Sequence, residues 1–487
     1  MTKQIRSLGL GLIVCFVILF VQLNRLTVFD AATLNDNPNN TRDILRDFAQ
    51  PRGAVTSADG VVLARSVPSG DKFVYQREYP TKDLFASVTG YFSFTLGSSG
   101  VEKTYNDELA GRTLDLSLHD VGDLFVDKQH VGNLTLTLRN DLQTIAAQQL
   151  GNRKGSVVAI DPRTGAILAM VSYPRFDPNL LADHDTQQAA QAQALLDASP
   201  DKPRLVRAYQ DRYFPGSTFK TVTATAGLEH GGVTPDAPSY PVSRGYHPPN
   251  SGAYVLKNFG GSACGGTLFH IMAVSCNTAF AQMGVENGGG AMTSTAEAYG
   301  FNQRVPIDLT APARSAYPTD FTRNNGALAQ SAIGQNNVAA TPLQMAMIAG
   351  AIANKDGNVM VPHVLDKVRD SDGNVVDTYD PKVWRHALDA ATAATMREGM
   401  IGVVEHGTAN RLKVEGFTVG GKTGTAQLGT TPPRSHAWII GWAGPPNQEP
   451  TIAVAVLIEG QPGASEQTGG RVAAPVAQAV LSAYLNG

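Results

Sequence analysis

Residues 211–223 read "DRYFPGSTFKTVT", with a serine and a lysine three apart directly after a Pro-Gly turn. The run that follows, "TFKTVTATAGLEHGG", places Phe219, Val222, Ala226 and Leu228 at helical spacing and stops at a Gly-Gly pair. On a helix, positions i and i+3 share a face, so the Ser217 hydroxyl and the Lys220 amine can meet. The helix start adds free backbone N–H groups and a positive field beside Ser217. Alone, S-x-x-K is ordinarily a helix cap followed by a solvated lysine. The chain holds two more, "SGDK" (Ser69, Lys72) and "SPDK" (Ser199, Lys202), both in Gly- or Pro-bearing loops that are not placed to begin a helix.

Two distant segments lift Ser217 and Lys220 above that bland reading. "SCN" (Ser275, Asn277) is the only S-x-N in the chain and follows the apolar run "LFHIMAV". "KTGTA" (422–426) holds the only K-T-G, on a predicted strand after Gly420-Gly421. Gaps of 58 and 147 residues separate the three, in an order shared by serine β-lactamases and penicillin-binding proteins. Further stretches agree: "RGAVTSADGVVLARS" (52–66), "GVEKTYNDELAG" (100–111), "GAILAMVSYPRFDPN" (165–179), "GQNNVAATPLQMA" (334–346) and "HGTA" (406–409). Over almost its whole length the chain resembles a class B penicillin-binding protein, most like the short actinobacterial penicillin-binding protein A type. One departure is the single Pro215 before the serine motif, where the family has a double proline.

The chemistry asks for two lysines. A serine hydroxyl is a poor nucleophile until a base takes its proton. A free lysine, with a pKa of about 10.4, is neutral only about once in a few thousand at neutral pH. Burial and a second nearby cation both lower that value, and Lys422 can supply the cation. The resemblance implies that Ser217 is the nucleophile, Lys220 its base and Ser275 a proton relay, while Asn277 bonds the substrate's peptide. It implies that Lys422 and Thr423 hold a terminal carboxylate and that Gly424 lets the substrate approach the strand edge. The backbone N–H groups of Ser217 and Thr425 are the candidate oxyanion donors, each typically worth ~3 kcal/mol in the barrier. The implied reaction is peptidoglycan D,D-transpeptidation. Ser217 attacks a D-Ala-D-Ala stem peptide, D-Ala leaves, and a neighbouring stem's amine resolves the acyl-enzyme. β-Lactams would acylate the same serine.

The remaining composition narrows the class. The chain has 487 residues, 43% apolar and 17% charged, which suits two or three globular domains. A net charge of −3 with no basic run argues against nucleic-acid binding. None of the ten histidines falls in a metal-binding motif, so neither metal nor cofactor is expected. Cys264 and Cys276 stand twelve apart, either as a disulfide or as two buried thiols. Lys3 and Arg6 precede an uncharged stretch, Ser7–Asn24, that would span about 27 Å as a helix. It reads as an uncleaved anchor in the cell membrane, a single pass that leaves residues 1–6 in the cytoplasm and the rest outside.

The expected organisation is a cytoplasmic tail (1–6), the anchor (7–24), a β-rich pedestal or dimerisation-type module (25–140) and the transpeptidase domain (141–487). Within the module, the Asn-rich 34–43 reads as a flexible stalk or loop. A helix is expected to start at Asp141 with Asn140 or Asp141 as its N-cap, a hairpin turn at "DPRTG", helices through 180–400, and strands in "FTVGGKTGTAQ", "HAWIIGWAG" and "TIAVAVLIEG". The fold class is therefore α/β (α+β), a central antiparallel sheet flanked by helices and closed by segments from both ends of the domain.

Three rivals are weaker. A class A β-lactamase activates water with a glutamate after its S-x-N motif, and no glutamate occurs between Glu297 and Glu398. A D,D-carboxypeptidase shares the trio and stays an alternative. A non-catalytic β-lactam sensor or scaffold would have almost no cytoplasmic part through which to signal. No E-D-x-x-F-x-x-H-x-G signature is present, so a separate membrane glycan polymerase is the partner that the family analogy implies.

Overall fold

The computed structural model describes residues 2–25, 48–113, 116, 131–322, 324–461 and 467–487; the Asn-rich 34–43 lies outside them. The chain divides into two compact units, Met1–Pro51 with Pro68–Gln76, and Arg52–Val67 with Arg77–Gly487. In the first, helix Thr2–Asn24 turns large apolar side chains outward on every side. Leu8, Ile13, Phe16 and Phe20 are 62–70% exposed. A soluble helix hides one apolar stripe; this one hides none. It is long and apolar enough to cross a membrane, with a mean hydropathy of 2.2 over its best window.

The second unit opens with a sheet in which Val375–Thr378, Leu365–Arg369, Asn133–Leu136, Val55–Thr56 and Val62–Pro68 are successive neighbours. Two of those strands come from the middle of the chain. The stretch 180–400 is thus not helical throughout, and it lends a hairpin to the N-terminal module. Beside this sheet, Glu102 is fully buried between two arginines, with Arg77 Nε 2.6 Å and Arg52 Nε 3.1 Å from its carboxylate. Tyr79 Oη donates to the same carboxylate at 3.2 Å, and the Arg52 guanidinium lies 4.0 Å from the centre of the Phe92 ring. Burial alone would raise the Glu102 pKa, but Arg77 and then Arg52 overcome it and hold the group below its ordinary value. This cluster gives "RG" (52–53) and "GVE" (100–102) a structural cause. A Cβ on Gly53 would lie 2.0 Å from the Gly132 carbonyl oxygen, so only glycine fits beneath Arg52.

A second sheet has five antiparallel strands, in the order Thr418–Gln427, Ser435–Gly444, Ile452–Ile458, Gly155–Ile160 and Ile167–Tyr173. The expected "DPRTG" turn joins the last two. Every residue of Ile452–Ile458 and Gly155–Ile160 is buried, so both sheet faces are covered. Helices Asn140–Leu150 and Ala474–Asn486 pack on each other and on the strands, and Pro342–Ala353 packs on the three central strands. Segments from both ends of the domain therefore close the sheet, as expected from the sequence. The helix expected to carry Asn140 or Asp141 as its N-cap begins at Asn140 and has Arg139 at the cap position, without a side-chain cap of its own. The Asp59 carboxylate accepts from the Asn140 N–H at 2.9 Å instead, an acceptor supplied from 81 residues away. Thr418–Gln427, the K-T-G strand, is the sheet's edge, and among the described residues no strand pairs with its outer side.

Candidate active site

Three elements converge beside that free edge. Gly216–Phe219 forms a 3₁₀ turn that runs into helix Lys220–His230. The loop 274–276 joins helices Leu268–Ala273 and Asn277–Ala298. The K-T-G strand completes the set. Ser217, Ser275, Asn277, Thr423 and Thr425 line one cleft of about 1000 Å³, while Lys220 and Lys422 are fully buried.

Close backbone contact holds the nucleophile turn in place. Gly216 has φ +54°, and its N–H donates to the Gly334 carbonyl at 2.9 Å. A Cβ at Gly216 would lie 2.8 Å from the Thr425 carbonyl oxygen, and one at Gly334 would lie 2.2 Å from the Gly216 carbonyl oxygen. A Cβ at Gly424 would lie 2.9 Å from the Pro215 carbonyl oxygen and from Thr218 Cγ2. Gly424 therefore lets the turn seat directly on the strand, a reason separate from the substrate approach expected of it. The Trp438 indole donates to the Phe214 carbonyl at 3.0 Å and ties the next strand to the same turn.

The S-x-N loop is held differently. Ser275 has φ +57°, a left-handed conformation that non-glycine residues rarely adopt. Cys276, between the motif's serine and asparagine, is disulfide-bonded to Cys264 with Cα atoms 5.8 Å apart. The loop is thus tied covalently to strand Cys264–Gly266.

The polar contacts form a relay. Lys422 Nζ donates to Ser275 Oγ at 2.8 Å and to the Thr423 carbonyl at 3.2 Å. Lys220 Nζ donates to the Ser275 carbonyl at 2.7 Å and to Asn277 Oδ1 at 2.6 Å, and lies 3.3 Å from Ser275 Oγ. A neutral amine has two N–H donors and one lone pair. Ser275 O and Asn277 Oδ1 occupy both donors, so the lone pair of a neutral Lys220 remains available to accept a hydroxyl proton. The i, i+3 spacing suggested direct contact between Ser217 and Lys220; among the described residues no hydrogen bond joins Ser217 Oγ to the amine.

Electrostatics favour that neutral form. Burial, and secondly the charge of Lys422, push the Lys220 pKa well below its ordinary value. Burial lowers Lys422 to about 7. Lys422 thus stands close enough for its charge to favour the neutral form of Lys220. Residues given no role from the sequence also join the site. Thr408 Oγ1 is 2.6 Å from Thr423 Oγ1, and the Arg411 guanidinium donates to the Arg471 carbonyl at 3.3 Å. The "HGTA" stretch was the one available signal for them. Among the described residues no group of acidic, histidine or cysteine side chains could hold a metal ion.

Comparison with known proteins agrees with this geometry. Residues 155–482 match the penicillin binding protein transpeptidase domain, and residues 52–134 match the penicillin binding protein A dimerisation domain. The peptidoglycan D,D-transpeptidase PbpA of Mycolicibacterium smegmatis is 36% identical over 501 residues, covering 100% of this chain and 99% of that one. PbpA of Mycobacterium tuberculosis is 35% identical over 506 residues, covering 100% of both. The structure of M. tuberculosis penicillin-binding protein A as a ceftriaxone acyl-enzyme superposes with a TM-score of 0.82 at 35% identity, covering 90% of this chain and 99% of that one. Its imipenem acyl-enzyme gives a TM-score of 0.81 over the same shares, also at 35% identity. With its fold, its buried lysine pair and these relatives in agreement, the chain belongs to the penicillin-binding protein transpeptidases.

Proposed function

We propose that Ser217 is the nucleophile of this serine-type peptidoglycan D,D-transpeptidase and that Lys220 takes its proton. The observation that carries the assignment is the chain of contacts from Lys422 Nζ through Ser275 Oγ to Lys220 Nζ, beside the cleft that Ser217 lines. Ser217 Oγ attacks the carbonyl carbon of a stem peptide ending in D-Ala-D-Ala, and its proton passes to Lys220. The backbone N–H groups of Ser217 and Thr425 receive the oxyanion. Ser275 carries the proton on to the leaving amine, D-Ala departs, and an acyl ester remains on Ser217. An acceptor stem's amine then resolves the ester. Asn277 orients the donor peptide, and Thr423 with Lys422 holds the terminal carboxylate. β-Lactams arrest the cycle at the ester.

The apolar helix Thr2–Asn24 is read as a membrane anchor, with residues 7–24 in the bilayer and the catalytic unit outside the cytoplasm. On this reading residues 25–140 form the pedestal and 141–487 the transpeptidase domain, and the glycan strands come from a separate membrane polymerase. Supplying a D-Ala-D-Ala peptide with an acceptor amine and analysing the products tests the activity. Cross-linked product supports transpeptidation; hydrolysis alone would favour the carboxypeptidase reading.

A further inference from the structure

We infer that His436 is a positioning residue for acylation and that it acts only as a neutral imidazole. In that form it accepts the Gly460 N–H and holds together the segment leading to Ser217 and one wall of the cleft. The inference rests on Ser217 being the acylated residue.

His436 stands on strand Ser435–Gly444, next to the K-T-G strand, where it pairs with Ala426. Gly460 donates its N–H to His436 Nδ1 at 3.1 Å. A backbone N–H can only donate, so Nδ1 carries the lone pair and the ring's proton sits on Nε2. A second proton would go on Nδ1 and meet the Gly460 N–H head-on. The contact therefore exists only while the ring is uncharged.

Gly460 is tied to the nucleophile turn through its neighbour. The Glu459 carboxylate accepts from Arg207 Nε at 2.8 Å and from the Tyr213 hydroxyl at 2.9 Å. That hydroxyl also lies 3.0 Å from Asp211 Oδ2, and the Tyr213 ring stands edge-to-face with His436, centroids 5.3 Å apart. Tyr213 leads directly into Phe214, Pro215, Gly216 and Ser217. The same short strand segment also serves the cleft. Ser435 Oγ donates to the Gln467 carbonyl at 3.0 Å, and the residues that follow, Thr468, Gly469 and Gly470, line the cleft. There is little slack: a Cβ at Gly460 would lie 2.7 Å from the Ser435 carbonyl oxygen, and one at Gly469 would lie 1.8 Å from that of Trp438.

The charged and titratable groups around the ring set up two states. Tyr213, Asp211 and Glu459 face it, Arg207 is held on Glu459, and Arg434 lies two residues back on its own segment with its guanidinium on Thr430 Oγ1. Burial holds the imidazole below its ordinary pKa, while Glu459 and then Asp211 pull it upward. The ring is thus neutral at pH 7, and it charges only below the ordinary histidine value of about 6.5. Once charged, it competes for the two carboxylates that hold the Tyr213 hydroxyl. Gly460 and Tyr213 then lose their partners together.

The test follows acylation of the full-length protein by labelled penicillin between about pH 4.5 and 8. His436→Asn places a carbonyl oxygen near the position of Nδ1 and takes no proton in this range. At pH 8 it should acylate at close to the wild-type rate. His436→Phe keeps a ring but removes the acceptor, and should acylate roughly tenfold or more slowly at pH 8. On acidification the wild type should lose roughly tenfold more rate than His436→Asn, because both share the titration of Lys220 and only one carries the imidazole. Hydrogen exchange of the Gly460 amide in the wild type, corrected for its intrinsic pH dependence, needs no variant and should lose protection over the same range. Superposed wild-type and Asn profiles, a Phe variant as fast as the wild type at pH 8, or Gly460 protection that does not change with pH would each overturn the proposal. A label that maps to a serine other than Ser217 would instead remove the site assignment beneath it.

Discussion

Lys422 Nζ donates a 2.8 Å hydrogen bond to Ser275 Oγ, placing a buried lysine on a hydroxyl that also lies 3.3 Å from Lys220 Nζ. The contact couples the two amines. Lys220 must be neutral to accept a proton, and both burial and the charge of Lys422 depress its pKa. The second-order rate of β-lactam acylation should therefore rise with pH at values well below 10. Lys422→Ala removes the charge that disfavours protonated Lys220. Its rising limb should move to higher pH while the rate falls on the order of 10²-fold or more. A limb that stays in place would show the lysines to be uncoupled.

The same burial works against stability. Unfolded, Lys422 titrates near an ordinary lysine value of about 10.4; folded, it titrates at about 7. Between those pH values the unfolded chain binds a proton that the folded chain does not, so stability rises as pH rises through that window. Lys422→Met should stabilise the fold at pH 7 by about 1–3 kcal/mol, with the gain shrinking towards pH 10 and acylation lost. Thermal melting across pH measures it; a less stable variant at pH 7 contradicts it.

Gly424→Ala tests the seat of the nucleophile turn. The new methyl would lie 2.9 Å from the Pro215 carbonyl oxygen and from Thr218 Cγ2. The strand and turn must separate, at a stability cost of about 1–3 kcal/mol. A displaced Ser217 should acylate on the order of 10²-fold more slowly. Wild-type acylation rates would mean that the turn has room which the structure does not show.

Glu102→Gln probes the module alone. It leaves Arg52 and Arg77 buried with no carboxylate between them, and should cost about 3–5 kcal/mol. None of the three lines the catalytic cleft. Denaturant titration should show the loss while the folded fraction acylates at the wild-type rate.

Much of this was legible in the sequence wherever the signal is local. "DPRTG", the three C-terminal strands and the helix after Ser217 each carry their own period and turn residues. The three motifs were readable because S-x-N and K-T-G each occur once in the chain and the order of all three is shared by one fold. What pairs across long separations was not. Asp59 caps a helix 81 residues away, and Arg77, in an unremarkable strand, completes the Glu102 cluster. The 365–378 hairpin joins a sheet whose other strands lie far back in the chain. The left-handed Ser275 and the seating role of Gly424 depend on neighbours that no periodicity encodes. The disulfide was open until the backbone brought Cys264 and Cys276 within 5.8 Å.

Mass mapping of the protein after exposure to a β-lactam tests the central assignment most directly. One adduct should appear on the peptide bearing Ser217, vanish in Ser217→Ala, and form far more slowly in Lys220→Ala. An adduct on another serine, or one that survives Ser217→Ala, would contradict it.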